Sequence, residues 1–497
     1  MQKRYAIVGG GLSGLAAAYQ LRQSHPQASV ELFEAAARAG GVIHTEIIDT
    51  PEGRFVIDHG ADMFATEPSA AMELCGELGV EDDLLIPDEQ LAGAMIVHRG
   101  RLVPIPDGFV LMRATKLWQM VTTPLLSVPG KLRFLAERFI KPLRQHGREL
   151  ADADLSTLDD ISVGEFVRHR MGRETLDRLV GPLVAGIYTA DVDKLSLHAT
   201  MAPIVAMVRR HGSLASATLA RRKSEQDTAE RQSAGARYQK FRGFPEGMKQ
   251  LIDQLADAIG SDSLHLQSPV RGMRFDAAAT QWNLAFDSGE KAFDEVILAT
   301  PSAVTAKLLG SISGGGEDEL TAAAEEAAQS LAEIESASAA IVVLCIRKEQ
   351  IRELPARFGF VVPLIEKRRI LAASFASHKY ASRCPVDHTI VRVFLGGAMQ
   401  AELLEGTDDE LIEIVRDELA DLIGFEGRET LARVVRWNDA MPQYHVGHLQ
   451  RAKRIEEAFA RIRQLHLATN ALHGVGIAPV IANARRVAMA IGETSES

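Results

Sequence analysis

The chain has 497 residues, 46% of them apolar and 24% charged, with a formal net charge of −11. That length calls for two or more globular domains, and the composition excludes disorder as a description of the whole chain. The acidic balance argues against a nucleic-acid-binding protein. Cys75, Cys345 and Cys384 are too few and too scattered for a disulfide framework or a zinc site, which fits a reducing, cytoplasmic setting.

In chain order, "RYAIVG" reads as a buried strand, "LSGLAAAYQLRQ" as a helix and "SVELFEA" as a second strand. The turn between the first two carries Gly9, Gly10, Gly11 and Gly14, the G-x-G-x-x-G spacing. The first glycine permits a tight turn, the second lets backbone approach a pyrophosphate, and the third lets helix pack on strand. The N–H groups at the helix start, from Leu12 and Ser13, face the same anion. Glu34, twenty residues after Gly14 at the end of the second strand, is placed to accept ribose hydroxyls. Both NAD and FAD carry that ribose, so Glu34 does not distinguish them. "EAAARAGGVIHT" adds Arg38, Gly40, Gly41 and Val42 in the pattern E-x3-R-x-G-G, which suggests backbone following a longer ligand beside a fixed cation. "FVIDHGADMF" reads as a strand running into a turn at Gly60, Ala61, Asp62 and Met63, another place for backbone to meet the ligand.

Residues 66–110 carry a short helix and a β pair. Residues 111–148 hold eight Lys or Arg against one acid, Glu137, interleaved with Trp118, Phe134 and Phe139. Such a basic amphipathic stretch suits either an anionic membrane surface or a helical lid with a solvated basic face. "SEQDTAERQSAGARYQK" reads as an exposed loop, "ASAAIVVLCI" as a buried strand too short to span a bilayer, and the acidic, alanine-rich 316–336 as an exposed helix. Near the end, "HGVGIAP" sets Gly474 and Gly476 directly before a helix, a second N-terminus suited to negative charge. No metal-ligand spacing, secretory leader or spanning segment is expected.

Taken together, G-x-G-x-x-G with Glu34, R-x-G-G and "GVGI" before a helix resemble the FAD-dependent amine-oxidase and desaturase superfamily. "HGADMF", "LVPIPDG", "GPLVAGIYTADVDKLS" (Gly181–Ser196) and "NALHGVGIAPVIANA" are similar to its porphyrinogen oxidases, those acting on protoporphyrinogen and coproporphyrinogen III. The resemblance implies FAD as cofactor and a six-electron oxidation of a porphyrinogen to the porphyrin in haem synthesis. In that reaction O2 is the acceptor and flavin N5 takes the hydride, so no catalytic side chain is assigned. It implies flavin contacts from Val270 backbone, from Trp437, and from Val475, Gly476 and Ile477 at the isoalloxazine. The negative charge of a reduced flavin suits the helix start there. Arg99 and Arg101 become candidate propionate ligands, since Ala94 stands where mitochondrial relatives carry an arginine. "GADMF" departs from the usual GPDSF, which removes any role of that Pro and Ser.

The fold class expected is α/β, with an α+β substrate domain. A Rossmann-like FAD-binding domain (1–65, 243–310, 440–497) is interleaved with a mixed-sheet substrate domain (66–110, 311–439) and a helical, basic lid or membrane-facing subdomain (111–242, with a polar loop over 213–240). Expected partners are a porphyrinogen, O2, and a peripheral membrane surface or the next haem-synthesis enzyme; no nucleic acid is expected. The alternatives are an oxidase of amines or carotenoids, or a binding protein that kept the fold without catalysis. The absence of a cysteine after Cys384 and the "GIYTAD" block speak against the first, and the intact glycine motif against the second.

Overall fold

The structure, a computed structural model, describes residues 2–110, 112–140, 160–221, 240–314 and 318–493. Strand β1 (Arg4–Val8), helix α1 (Leu12–Ser24) and strand β2 (Ser29–Phe33) form the opening βαβ unit. Both strands join a five-stranded parallel sheet in the order Leu264–His265, β2, β1, Glu295–Leu298, Leu465–Leu467. A parallel sheet must be covered on both faces. One face is covered by α1, the helix Lys249–Ile259 and the C-terminal helix Ile477–Glu493. The other is covered by the antiparallel strands Gly272–Asp276, Gln281–Phe286 and Gly289–Phe293, with the helices Asp318–Ala332 and His448–Phe459.

A second, seven-stranded mixed sheet runs in the order Leu431–Pro442, Ser336–Arg347, His388–Gly396, Ala372–Phe375, Gly359–Val361, Met95–His98, Arg101–Pro104. The run "ASAAIVVLCI" lies within Ser336–Arg347, paired on both sides, which is why it is apolar without alternation. A helix Asp408–Ile423 covers one face. The hairpin Thr45–Thr50/Gly53–Asp58 covers the other and ties the sheet to the glycine-rich end of the chain. A separate apolar cluster gathers the helices between residues 160 and 221 with Phe109, Leu125, Leu126 and Phe134.

Three expectations are corrected. The acidic stretch 316–336 forms a helix, Asp318–Ala332, but it is not exposed all round: Leu320, Ala323, Ala324, Ala327 and Leu331 are buried, because alanine lets neighbouring helices approach closely. The polar loop drawn over 213–240 starts as a helix, Leu214–Arg221, which buries Leu214 and Ala217 at i,i+3 spacing; residues 222–239 lie outside the described residues. The basic stretch is not a uniformly solvated face. Arg113 is buried, Arg133 donates to the His169 and Arg170 carbonyls at a helix end, and Glu137 is buried against Arg170 at 2.7 Å. Lys141, Arg144 and Arg148 lie outside the described residues.

Candidate functional site: a glycine-walled groove beside two helix N-termini

Gly9 adopts φ +110, closed to side chains, and donates its N–H to the Phe33 carbonyl at 2.8 Å. A Cβ on Gly14 would stand 1.9 Å from the Gly9 carbonyl oxygen, so α1 can leave β1 at this angle only with glycine there. Gly11 differs. A Cβ on it would meet nothing within 4 Å, and as N-cap it offers no side chain to the free N–H groups of α1. That is open space in front of uncapped donors. Leu12 and Ser13 are buried, and Ser13 Oγ donates to the Ala468 carbonyl, leaving their backbone for a ligand. Gly40 N–H donates to the Gly10 carbonyl at 2.8 Å, and a Cβ on Gly41 would stand 3.3 Å from Gly11 Cα, so R-x-G-G closes against the first glycine turn. The Glu34 carboxylate accepts from Gly10 N–H at 2.6 Å and Ala36 N–H at 2.7 Å, each on a different oxygen, and keeps lone pairs for a further donor. Ser268 N–H bonds the Glu34 carbonyl at 2.8 Å, two residues before Val270. Arg38 is exposed, its guanidinium 3.2 Å from the Ala39 carbonyl.

Val42 is 48% exposed. Gly60 lies under Trp437, where a Cβ would stand 2.5 Å from the indole ring and 2.8 Å from the Val42 carbonyl oxygen. Trp437 Nε1 donates to the His59 carbonyl at 3.1 Å. Val42, Gly60 and Trp437 are therefore one group, although the last is far along the chain. Val475, in the turn before the C-terminal helix, packs against the same helical cluster as Ala94, Leu183, Tyr188 and Val361. Leu183 and Tyr188 belong to the helix Gly181–Tyr188, which follows a widened π turn at Leu176–Val180. Such turns recur at functional sites, and a Cβ on Gly181 would stand 2.8 Å from the Leu176 carbonyl oxygen.

Arg99 and Arg101 do not join these groups. Arg99 sits in the tip of the hairpin Met95–His98/Arg101–Pro104 and Arg101 follows it, both exposed, with Arg99 N–H held by Glu366 at 2.9 Å. Their strand is at the opposite edge of the seven-stranded sheet from the strand of Trp437. Arginine is costly to bury, and a two-residue tip with positive φ at Arg99 and Gly100 keeps both side chains in solvent.

Sequence reasoning missed a buried ionic network behind Gly60–Asp62. Asp62 meets Lys379 Nζ at 2.7 Å and Arg392 Nη1 at 2.8 Å; Arg392 also donates to the Gly60 carbonyl, and Arg383 meets Asp58 at 3.1 Å. Burial alone would raise the Asp62 pKa, but the attraction of Lys379 and Arg392 outweighs it and holds the carboxyl well below the usual range. Arg392 in the middle of the apolar strand "HTIVRVFLG" was the one signal available.

A glycine-walled groove at the carboxyl ends of β1 and β2, with an uncapped helix start and an acid beside it, defines a dinucleotide-binding protein. The model of the flavin containing amine oxidoreductases matches residues 12–492, and the chain belongs to that family. Its cofactor is FAD, and the open space at Gly11 and the bare N-terminus of α1 fit a pyrophosphate. The chain is similar to the coproporphyrinogen III oxidase of Bacillus subtilis, 28% identical over 96% of this chain and 95% of that protein. It is 32% identical to the coproporphyrinogen III oxidase of Propionibacterium freudenreichii, over 97% of this chain and 89% of the relative. A crystal structure from Exiguobacterium sp. 255-15, provisionally described as a protoporphyrinogen oxidase, superposes with TM-score 0.82 at 26% identity, covering 99% of both chains.

Proposed function

We propose that the protein oxidises a porphyrinogen to the porphyrin in haem synthesis, with coproporphyrinogen III preferred. The observation that carries this is the apolar wall that Ala94, Leu183, Tyr188 and Val361 form on the helical cluster, against which Val475 of the turn before the C-terminal helix also packs. The two relatives named as coproporphyrinogen III oxidases support the substrate, matching nearly the whole chain. When bound, FAD supplies the hydride acceptor, and O2 regenerates it. The protein's own residues bind and orient. Gly9, Gly10, Gly11 and Gly14, with the N–H groups of Leu12 and Ser13, hold the pyrophosphate. Glu34 holds the ribose, and Val270 backbone meets the adenine. Arg38, Gly41, Val42, Gly60, Ala61, Asp62, Met63 and Trp437 line the flavin's path, and Val475, Gly476 and Ile477 border its ring. The apolar wall excludes water from a non-aromatic tetrapyrrole and sets its meso carbons against the cofactor. The segments 1–65, 243–310 and 440–497 form the cofactor domain in this reading, and the wall belongs to the other two units.

The test is anaerobic mixing with coproporphyrinogen III and, separately, protoporphyrinogen IX, followed by air and porphyrin fluorescence. Faster fluorescence with the first supports the proposal. A yellow protein that oxidises neither leaves the cofactor site and removes the substrate.

We further propose that residues 117–139 rest on an anionic membrane surface. Trp118 is 72% exposed and Phe139 82%, with Val128 and Leu132 also in solvent beside Lys131 and Arg138. A cavity of about 270 Å³ lined by Leu117, Phe134, Leu135, Phe139 and Leu219 opens there and shares no residue with the glycine groove. No helix among the described residues is long and apolar enough to cross a membrane. Failure to cosediment with phosphatidylglycerol vesicles at low salt would remove this reading.

A further inference from the structure

Tyr444 lies between the strand Leu431–Pro442 and the helix His448–Phe459, and His448 opens that helix. They are 3% and 0% exposed, and their rings stack at a centroid separation of 3.8 Å with planes 12° apart. The Tyr444 hydroxyl accepts the Gly474 N–H at 2.7 Å and donates to the Asn470 carbonyl. His448 Nε2 lies 3.0 Å from the Leu472 carbonyl; a carbonyl only accepts, so the ring proton is on Nε2 and Nδ1 is bare. That Nδ1 is buried without a hydrogen-bond partner. One stacked pair thus fixes three backbone groups of residues 470–474, just before the turn that carries Val475–Ile477. Gly474 sits at φ +121, a conformation that a loose turn would leave.

The same segment holds the end of the Gly181–Ser196 block. Ser196 N–H donates to the Tyr444 carbonyl at 2.7 Å and Val446 N–H to the Lys194 carbonyl at 2.8 Å. The Gln443 side-chain amide donates to the Tyr188 carbonyl at 3.2 Å. Backbone on one side and ring groups on the other therefore join the apolar wall to the turn.

We infer that Tyr444 and His448 are positioning residues that set the Gly474–Ile477 turn against the flavin and couple its position to the Tyr188–Ser196 segment. This rests on the cofactor reading of that turn. A helix start stabilises negative charge only where its N–H groups are aimed at it. Removing the hydroxyl leaves Gly474 N–H and the Asn470 carbonyl unpaired and lets the turn relax away.

The test uses purified holoenzyme and Tyr444→Phe, which keeps the ring stack and removes only the hydroxyl. Expected are FAD binding weakened about tenfold, the effect of one lost hydrogen bond, a displaced flavin absorption band and a lowered midpoint potential. With porphyrinogen, kcat should fall more than KM rises. His448→Ala, which keeps the hydroxyl and removes the stack and the Leu472 contact, should shift the same readouts in the same directions and carries the test if Tyr444→Phe does not fold. A Tyr444→Phe protein with wild-type FAD affinity, spectrum and potential overturns the inference, whatever its thermal stability. A wild-type protein that holds no FAD overturns the cofactor reading as well, so the two failures are distinguishable.

Discussion

Gly11→Ala and Gly14→Ala separate what the glycine motif does for a ligand from what it does for the fold. Gly11 has φ −71 and ψ 177, open to any residue, and its Cβ would meet nothing within 4 Å. Alanine there shifts the stability of the cofactor-free protein by no more than about 1 kcal/mol, a weaker N-cap set against a stiffer unfolded chain. If a pyrophosphate occupies that space, the methyl must displace it. Overpacking of this kind costs about 1–3 kcal/mol, which weakens FAD binding roughly 5- to 150-fold. At Gly14 the methyl would stand 1.9 Å from the Gly9 carbonyl oxygen, so backbone must move. A loss of about 3 kcal/mol of stability or more is expected before any ligand is considered. The assays are the ratio of flavin to protein absorbance, FAD titration by fluorescence quenching, and denaturant unfolding of the cofactor-free forms. Unchanged FAD affinity in Gly11→Ala, or unchanged stability in Gly14→Ala, would refute the reasoning.

Glu34→Ala should weaken FAD binding by about 1.5–3 kcal/mol, the value of a charged hydrogen bond, read by the same titration. Asp62→Asn should destabilise the protein by about 3–5 kcal/mol, since Lys379 and Arg392 then lie buried without their carboxylate; unfolding in urea measures it. Burial lowers the His448 pKa to about 4, against its Leu472 hydrogen bond. The unfolded chain therefore binds this proton first as pH falls. The stability owed to neutral His448 is full above about pH 6.5 and declines by about 3 kcal/mol on going down to pH 4; His448→Ala should flatten that part of the curve. Burial raises all three thiols, Cys75 to about 12 and Cys384 to about 11, so the native protein should resist thiol reagents at pH 8 and react once unfolded.

The local part of this protein was readable in its residues. Glycine is used where no side chain fits, and Gly9 and Gly14 mark the β1–α1 turn as clearly in the sequence as in space. The opening βαβ unit, the acid at Glu34 and the glycine turn before the last helix all depend on neighbours within about 30 residues. The buried strand Ser336–Arg347 was equally plain, because a strand paired on both sides and covered on both faces has no solvent side to mark. Arg99 and Arg101 lie apart from the strand of Trp437, because a nearby cation in sequence says nothing about which edge of a sheet it occupies.

The amino-acid sequence by itself determined which segments could cradle an anion, since that property resides in backbone freedom and helix starts, both local. Tertiary structure alone decided that Trp437 lies on Gly60, that Lys379 and Arg392 meet Asp62, and that Tyr444 holds Gly474. Those contacts join residues 30 to 377 positions apart. Each is made by side chains whose partners are set by the order of strands in two sheets, and strand order is fixed by how the layers bury one another.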